Sequence, residues 1–214
     1  CPDGLKEKVV FEKDGVKVLN NKFPFAPIHE IIVHSPDHNK NFGELSEEET
    51  KLVFDIFKNR FNAHKDKGKV YIFHNRGEQA GESLTHPHSQ LVVIPNNIDL
   101  DIQPLVRSEV DAARIETIYF YIFCPSTSEW PDEVWIAPRI SNKLFSNINE
   151  DEIGELSNVV TKLVKIFQIK YGSEFAYNFY IYPGEDWYLR LMPRKRILGG
   201  FELGTNVSVN TQDP

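Results

Sequence analysis

Apolar and polar residues along the chain fall into two strings of elements, and the second string repeats the first. Residues 16–19 read as a short strand and lead through Phe23-Pro24 to an apolar strand at 30–33 and a turn at Pro36. Ser46 and Glu49 have capping-box spacing, and Leu52, Val53, Ile56, Phe57 and Phe61 then line one face of a helix that Gly68 closes. Strands at 69–73 and 91–94 finish the string. In the second, a strand at 118–123 leads through Trp130-Pro131 to another at 133–136 and to Pro138. Asn149 with Glu152 opens a helix lined by Ile153, Leu156, Val160, Leu163 and Phe167 and closed by Gly172. Strands at 175–182 and 187–192 follow, divided by Pro183-Gly184. Each string is strand, strand, helix, strand, strand, with hairpin connections instead of βαβ crossovers. The pattern predicts an α+β chain of two tandem halves, each an antiparallel sheet with a packed helix. The expected boundaries are 1–97 for the first half, 98–116 for a polar connector with one short helix, and 117–214 for the second.

The halves differ in chemistry. All seven histidines lie between His29 and His88, whereas the matching hairpin of the second half carries Asp186-Trp187-Tyr188-Leu189-Arg190. The polar run from His74 ends in His86-Pro87-His88-Ser89-Gln90 and passes directly into Leu91-Val92-Val93-Ile94. If strand pairing reaches back through this motif, His86, His88 and Gln90 share one face, because side chains alternate with period two. Two imidazoles and a carboxamide make a poor core and a good reaction centre. Imidazole is largely unprotonated near neutral pH and can attack phosphorus. One ring could attack while the other is held by a metal or a backbone carbonyl. Gln90 can donate its amide to a phosphate oxygen, Ser83 adds a hydroxyl, and Gly77 and Gly81 permit close backbone approach to an anion.

Other residues read more plainly. His64 is expected as a solvated charge at the helix C-terminus, and His34 as either metal-proximal or a surface residue. His29 and His74 are expected near the pocket without a defined role. The 118–123 run reads as a buried strand, and Arg194-Lys195-Arg196 as a solvated turn. The net charge of −7 argues against a nucleic-acid partner. No apolar run is long enough to span a bilayer and no leader pattern opens the chain, so no membrane partner and a cytoplasmic location are expected. Two cysteines are too few for a disulfide framework. The chain begins with Cys1 rather than Met, and a partner cysteine is expected upstream of it.

The segments Asn75-Arg76-Gly77, Gly81, Ser83 and His86 through Gln90 resemble the active-site region of the galactose-1-phosphate uridylyltransferase family, in the histidine-triad superfamily. Asn21-Lys22-Phe23-Pro24, the run from His29 through Ser35-Pro36-Asp37-His38, Trp130-Pro131, Trp187 through Arg194 and Gly199 through Leu203 extend the resemblance along nearly the whole chain. It implies two tandem histidine-triad-like halves, the second degenerate. It makes His88 the nucleophile that takes up a nucleoside monophosphate in a ping-pong transfer. Gln90 and Ser83 would hold phosphates, with Gly81 beside them; Asn75 would support the site, and Asn21 and Phe23 would sit near the nucleotide. The family's structural zinc implies Cys1, His38 and His86 as ligands, the fourth upstream of the chain. Tyr188 and Arg190 stand where some members bind a second metal, so none is expected here. The implied substrates are UDP-glucose and a hexose 1-phosphate, and the implied assembly is a homodimer. Ser89 replaces the glycine usual in the uridylyltransferases and occurs in relatives with other nucleotide preferences. An ADP-glucose or dinucleoside polyphosphate phosphorylase with inorganic phosphate as acceptor is therefore the alternative. A non-catalytic, zinc-stabilised nucleotide-binding module is a third reading.

Overall fold

The computed structural model describes residues 8–110, 114–210 and 212, so Cys1 lies outside the described residues. The first string forms β1 (Val9–Lys13), β2 (Val16–Asn20), β3 (Ile28–Val33), α1 (Glu47–His64), β4 (Lys69–Arg76) and β5 (His88–Ile94). Then come α2 (Arg107–Val110), β6 (Arg114–Glu116), β7 (Phe120–Phe123), β8 (Val134–Pro138), α3 (Glu150–Tyr171), β9 (Tyr177–Ile181), β10 (Leu189–Pro193) and α4 (Gly200–Thr205). Both long helices start at the caps read from sequence. The Ser46 hydroxyl accepts from the Glu49 amide while the Glu49 carboxylate accepts from Ser46, and Asn149 and Glu152 repeat the exchange. β1 and α4 escaped the sequence reading because their apolar residues are mostly exposed and show no buried period.

The strands do not close into two separate sheets. They form one ten-stranded antiparallel sheet in the order β1-β2-β3-β5-β4-β9-β10-β8-β7-β6, with β4 and β9 joined at its centre. An unpaired β4 or β9 would expose a row of backbone donors and acceptors, and pairing the two removes both edges. Outward from that junction the order is β5, β3, β2 on one side and β10, β8, β7 on the other. Helices α1 and α3 lie on the same face. Val53, Phe54, Phe57, Ile153, Leu156 and Val160 bury there with Ile32, Ile72, Leu91, Phe179 and Leu189 of the strands in one continuous core.

The opposite face is covered unevenly. Over β8, β9 and β10, Trp135, Tyr180, Tyr188 and Met192 pack with Val110 and with Ile102 and Leu105 of the connector. Arg107 clips this segment down by donating to the Pro138 carbonyl at 2.7 Å and pairing with Asp186. The polar connector is thus part of the packing in the second half. Over β3, β5 and β4 the same face is left for a pocket.

Three residue expectations are corrected here. His64 is 6% exposed, because Glu30 of β3 points into the helix-side core and holds it at 2.9 Å. His34 is buried on that same side, its Nε2 2.9 Å from the Ser89 hydroxyl. Arg194 and Arg196 lie against the Trp130 ring, with guanidinium carbons 3.9 and 5.2 Å from its centroid, so the expected solvated turn is a cation–π stack.

Candidate active site

Strand β5 forms the floor of the open pocket, between β3 and β4. Alternation along β5 sends His88, Gln90 and Val92 to the pocket side and Ser89, Leu91 and Val93 to the helix side. The pairing with β3 starts at His88, opposite Val33, and one further bond joins the His34 amide to the Pro87 carbonyl. His86 stands outside this ladder, because Pro87 has no N–H to extend it. The expected three-residue face therefore contains two members, His88 and Gln90, and His86 turns elsewhere.

A pocket of about 670 Å³ is lined by Asn21, Phe23, Asn75, Gly81, Ser83, His88 and Gln90, together with Phe25 and His29. Every residue expected from sequence to bind substrate, and the expected nucleophile, thus meets in one cavity of ligand size. A second cavity of about 540 Å³ adjoins it, sharing Phe25, Phe73 and Asn75 and lined beyond them by Tyr71, Tyr180 and Met192.

The hydrogen bonds around these residues fix what each presents to the pocket. Nδ1 of His88 lies 2.9 Å from the His86 carbonyl oxygen. A carbonyl only accepts, so the proton sits on Nδ1 and Nε2 keeps its lone pair. Asn178, directly opposite Asn75 across the β4–β9 pair, donates to the Asn75 side-chain oxygen at 2.8 Å and to the Ala80 carbonyl at 2.8 Å. With its oxygen occupied, Asn75 turns its NH₂ outward. The loop carrying Gly81 and Ser83 is tied by the Glu82 carboxylate, which accepts from the Gly77 amide at 2.7 Å and pairs with Arg76. Gly77 has φ +86°, and a Cβ there would come within 2.9 Å of Ala176, so glycine is required by packing against β9's approach. Asn178 and Phe25 were missed as site residues, whereas His29 lines the pocket as expected. Asn178 belongs to the half without histidines, and its role depends on a pairing that no local pattern reveals. The role of His29 was undefined in the sequence, because it depends on the β3–β5 register that sets Ile31 opposite Gln90.

Behind His88 lies a buried histidine layer. Nδ1 of His74 donates to the His88 carbonyl at 2.9 Å and lies 3.3 Å from the Ser89 hydroxyl. Ser89 therefore faces the core, where its hydroxyl meets the buried rings of His34 and His74. Burial pushes the His74 pKa down to about 3, its hydrogen bond to the His88 carbonyl opposing this only in part. The unfolded chain binds a proton below about 6.5 that folded His74 does not take up until about pH 3. Stability from this group is complete above 6.5 and declines as pH falls, by roughly 1.4 kcal/mol per pH unit. Urea midpoints are expected to fall from pH 7 to pH 5, with buried His34 adding a loss of the same sign, and His74→Asn to make the fall shallower.

His38 and His86 form a separate pair. Their Nδ1 atoms face each other at 2.8 Å, while Nε2 of His86 donates to the Ser35 carbonyl at 2.8 Å. A metal-ligating imidazole is typically held in this way through its other nitrogen. Among the described residues no group of three or more His, Cys, Asp and Glu side chains is placed to hold a metal. None of the described helices is long and apolar enough to cross a membrane.

Residues 20–94 match the family described as Galactose-1-phosphate uridyl transferase, N-terminal domain. The chain is 23% identical over 221 residues to ADP-glucose phosphorylase of Arabidopsis thaliana, covering 87% of this chain and 61% of that protein. It is 33% identical over 203 residues to galactose-1-phosphate uridylyltransferase of Streptomyces lividans, covering 80% of this chain and 56% of the relative. The chain thus spans about three-fifths of the length of the curated relatives it matches. The crystal structure of the Arabidopsis thaliana ADP-glucose phosphorylase with bound ADP-glucose superimposes with a TM-score of 0.80 at 20% identity. That match covers 94% of this chain and 79% of the other, and it shows a shared fold.

Proposed function

We propose that this chain, which carries in residues 20–94 the N-terminal domain of the galactose-1-phosphate uridyl transferase family, is a nucleotidyltransferase acting through a covalent nucleotide on His88. The observation that carries the reading is the bond from His88 Nδ1 to the His86 carbonyl, which leaves Nε2 as a nucleophile in a pocket lined with amide and hydroxyl donors. In the first step Nε2 attacks the α-phosphorus of UDP-glucose. The bond from that phosphorus to the bridging oxygen breaks, and glucose 1-phosphate leaves with the electron pair. In the second step a phosphate oxygen of a hexose 1-phosphate attacks the same phosphorus, the N–P bond breaks, and neutral imidazole is restored. The proton stays on Nδ1 throughout, donated to the His86 carbonyl oxygen, whose negative end offsets the positive charge that the ring gains while bonded to phosphorus. Gln90, Asn75 and Ser83 supply donors for charge on the transferring group. Phe23 and Phe25, 78% and 68% exposed at the mouth, are placed to flank the nucleotide. The adjoining cavity offers room for the sugar.

A second reading takes ADP-glucose as donor and inorganic phosphate as acceptor. The similarity to an ADP-glucose phosphorylase over 87% of the chain favours it. Intact-mass measurement after incubation with UDP-glucose or ADP-glucose, without acceptor, separates the two. A UMP adduct supports the first reading and an AMP adduct the second. Binding without any adduct would refute both and leave a nucleotide-binding module.

The same reading gives the chain a structural zinc held by His38, His86 and Cys1, which the facing Nδ1 atoms of the two histidines support, although zinc would part them from 2.8 Å to about 3.3 Å. A zinc there would be structural, tying the 35–38 turn to the segment just before the nucleophile. Elemental analysis of protein with its full natural N-terminus tests this, and metal-free protein would refute it. A homodimer is part of the same proposal, checked by sedimentation.

A further inference from the structure

We infer that His29 is a positioning residue that fixes which end of the Gln90 carboxamide faces the transferring phosphoryl group. The inference rests on the reading of the pocket given above. The two ends of a carboxamide have nearly the same shape and opposite electrostatic effect. An NH₂ turned to the phosphoryl oxygens stabilises them, and a carbonyl oxygen in the same place repels them. Some fixed group must therefore set the orientation of Gln90 before substrate arrives.

A chain of three hydrogen bonds does so, beginning at a group that cannot reverse. The backbone amide of Phe23 can only donate, and it donates to Oδ1 of Asn21 at 2.9 Å. Asn21 is thereby locked with its Nδ2 toward His29, 3.3 Å from Nδ1 and 3.0 Å from Nε2 of the ring. Nε2 of His29 is also 2.7 Å from Oε1 of Gln90. Each bare imidazole nitrogen has a single lone pair. If Nε2 were bare, Asn21 and a reversed Gln90 would both need that lone pair. The shortest contact, to Gln90, is satisfied when Nε2–H donates to it, and Asn21 then gives its hydrogen bond to Nδ1 at 3.3 Å instead of to the nearer but protonated Nε2. The Gln90 oxygen is then occupied, and its two N–H groups face the pocket beside His88.

The ring is also kept in the required charge state. His29 is 5% exposed with the Phe25 ring edge-on at 4.5 Å, and burial lowers its pKa although the Gln90 bond opposes this. A protonated ring would set a donor against the Asn21 donor and break the series. Asn21, which the resemblance places beside the nucleotide, therefore acts through His29 on the phosphate as well.

Nitrogen-detected NMR of the histidine rings in the free protein tests the relay. The expected result is the neutral Nε2–H tautomer at His29, with its resonance displaced in Gln90→Leu. The Nδ1–H tautomer, or a charged ring at neutral pH, would overturn the inference. Kinetics test the consequence. His29→Phe is expected to lower kcat by about 10²-fold, the effect of one misdirected oxyanion donor, with KM for the nucleotide sugar nearly unchanged. Combining it with Gln90→Ala should add little further loss, since both act through one donor. His29→Gln, which can still donate to the Gln90 oxygen, should recover part of the rate. Additive losses, or wild-type kcat in His29→Phe, would overturn the inference. If the wild-type protein forms no nucleotidyl adduct, the enzymatic reading fails on its own, and the tautomer measurement still decides the relay.

Discussion

Replacing His88 by glycine is expected to abolish the nucleotidyl adduct and to reduce transfer by about 10⁴-fold or more, while nucleotide binding persists. The size of the loss follows from what His88 alone supplies. Gln90, Asn75 and Ser83 can stabilise a transferring phosphoryl group, and their removal should cost about 10²-fold each at most. None of them offers an unprotonated nitrogen whose other ring position is already bonded. Without that nitrogen, sugar phosphate and nucleotide must meet in one direct displacement, and the two-step exchange is lost. Single-turnover assays should therefore show no burst of glucose 1-phosphate from the variant. His86 provides a sharp contrast. Its contribution to His88 is a main-chain carbonyl, which survives any side-chain change, so His86→Asn should act through the 35–38 turn and any metal there, leaving the Nδ1–H tautomer of His88 in place. Adduct formation by His88→Gly at the wild-type rate would remove His88 from the nucleophilic role.

What the sequence disclosed about this site follows the range of the interactions involved. Both helix starts were legible because a capping box is complete within four residues. The pairing of His88 with Gln90 on one face was legible because β alternation is local. His86 was misplaced because Pro87 ends the ladder one residue early. The orientation of each carboxamide could not be read at all. Asn75 is set by Asn178, 103 residues away, and Gln90 by His29, 61 residues away. The fusion of the strands into one sheet had the same cause, since nothing within either half records that β4 and β9 will meet. His64 was misread because its helix position resembles a solvated C-terminal charge, whereas its partner Glu30 lies on a strand that precedes the helix.

That misreading points to the largest expected effect on stability. Arg60→Met is expected to destabilise the fold by about 3 kcal/mol or more, lowering the melting temperature by roughly 6–12 °C. Glu30 has a side chain only 2% exposed, and Arg60 grips it from two nitrogens at 2.9 and 2.6 Å while His64 adds a contact at 2.9 Å. Burial alone would raise the Glu30 carboxyl. The bonds and charges of Arg60 and His64 outweigh it and hold the group below the ordinary carboxylate value of 4.5. Removing Arg60 leaves burial in control, and a carboxylate without its main partner must either stay charged in the core or take up a proton. The double variant Glu30→Leu with Arg60→Met discards both charges and should regain most of the lost stability, because the cost lies in the orphaned charge and not in the missing pair. Acid behaviour gives an independent sign. Since folding lowers the pKa of Glu30, its stabilisation is complete above about 4.5 and is lost as pH falls through the lower folded value. Arg60→Met should shift that loss to higher pH. Equal melting temperatures for the single and double variants would instead make Arg60 a packing residue whose aliphatic stem, not its charge, anchors α1 to β3.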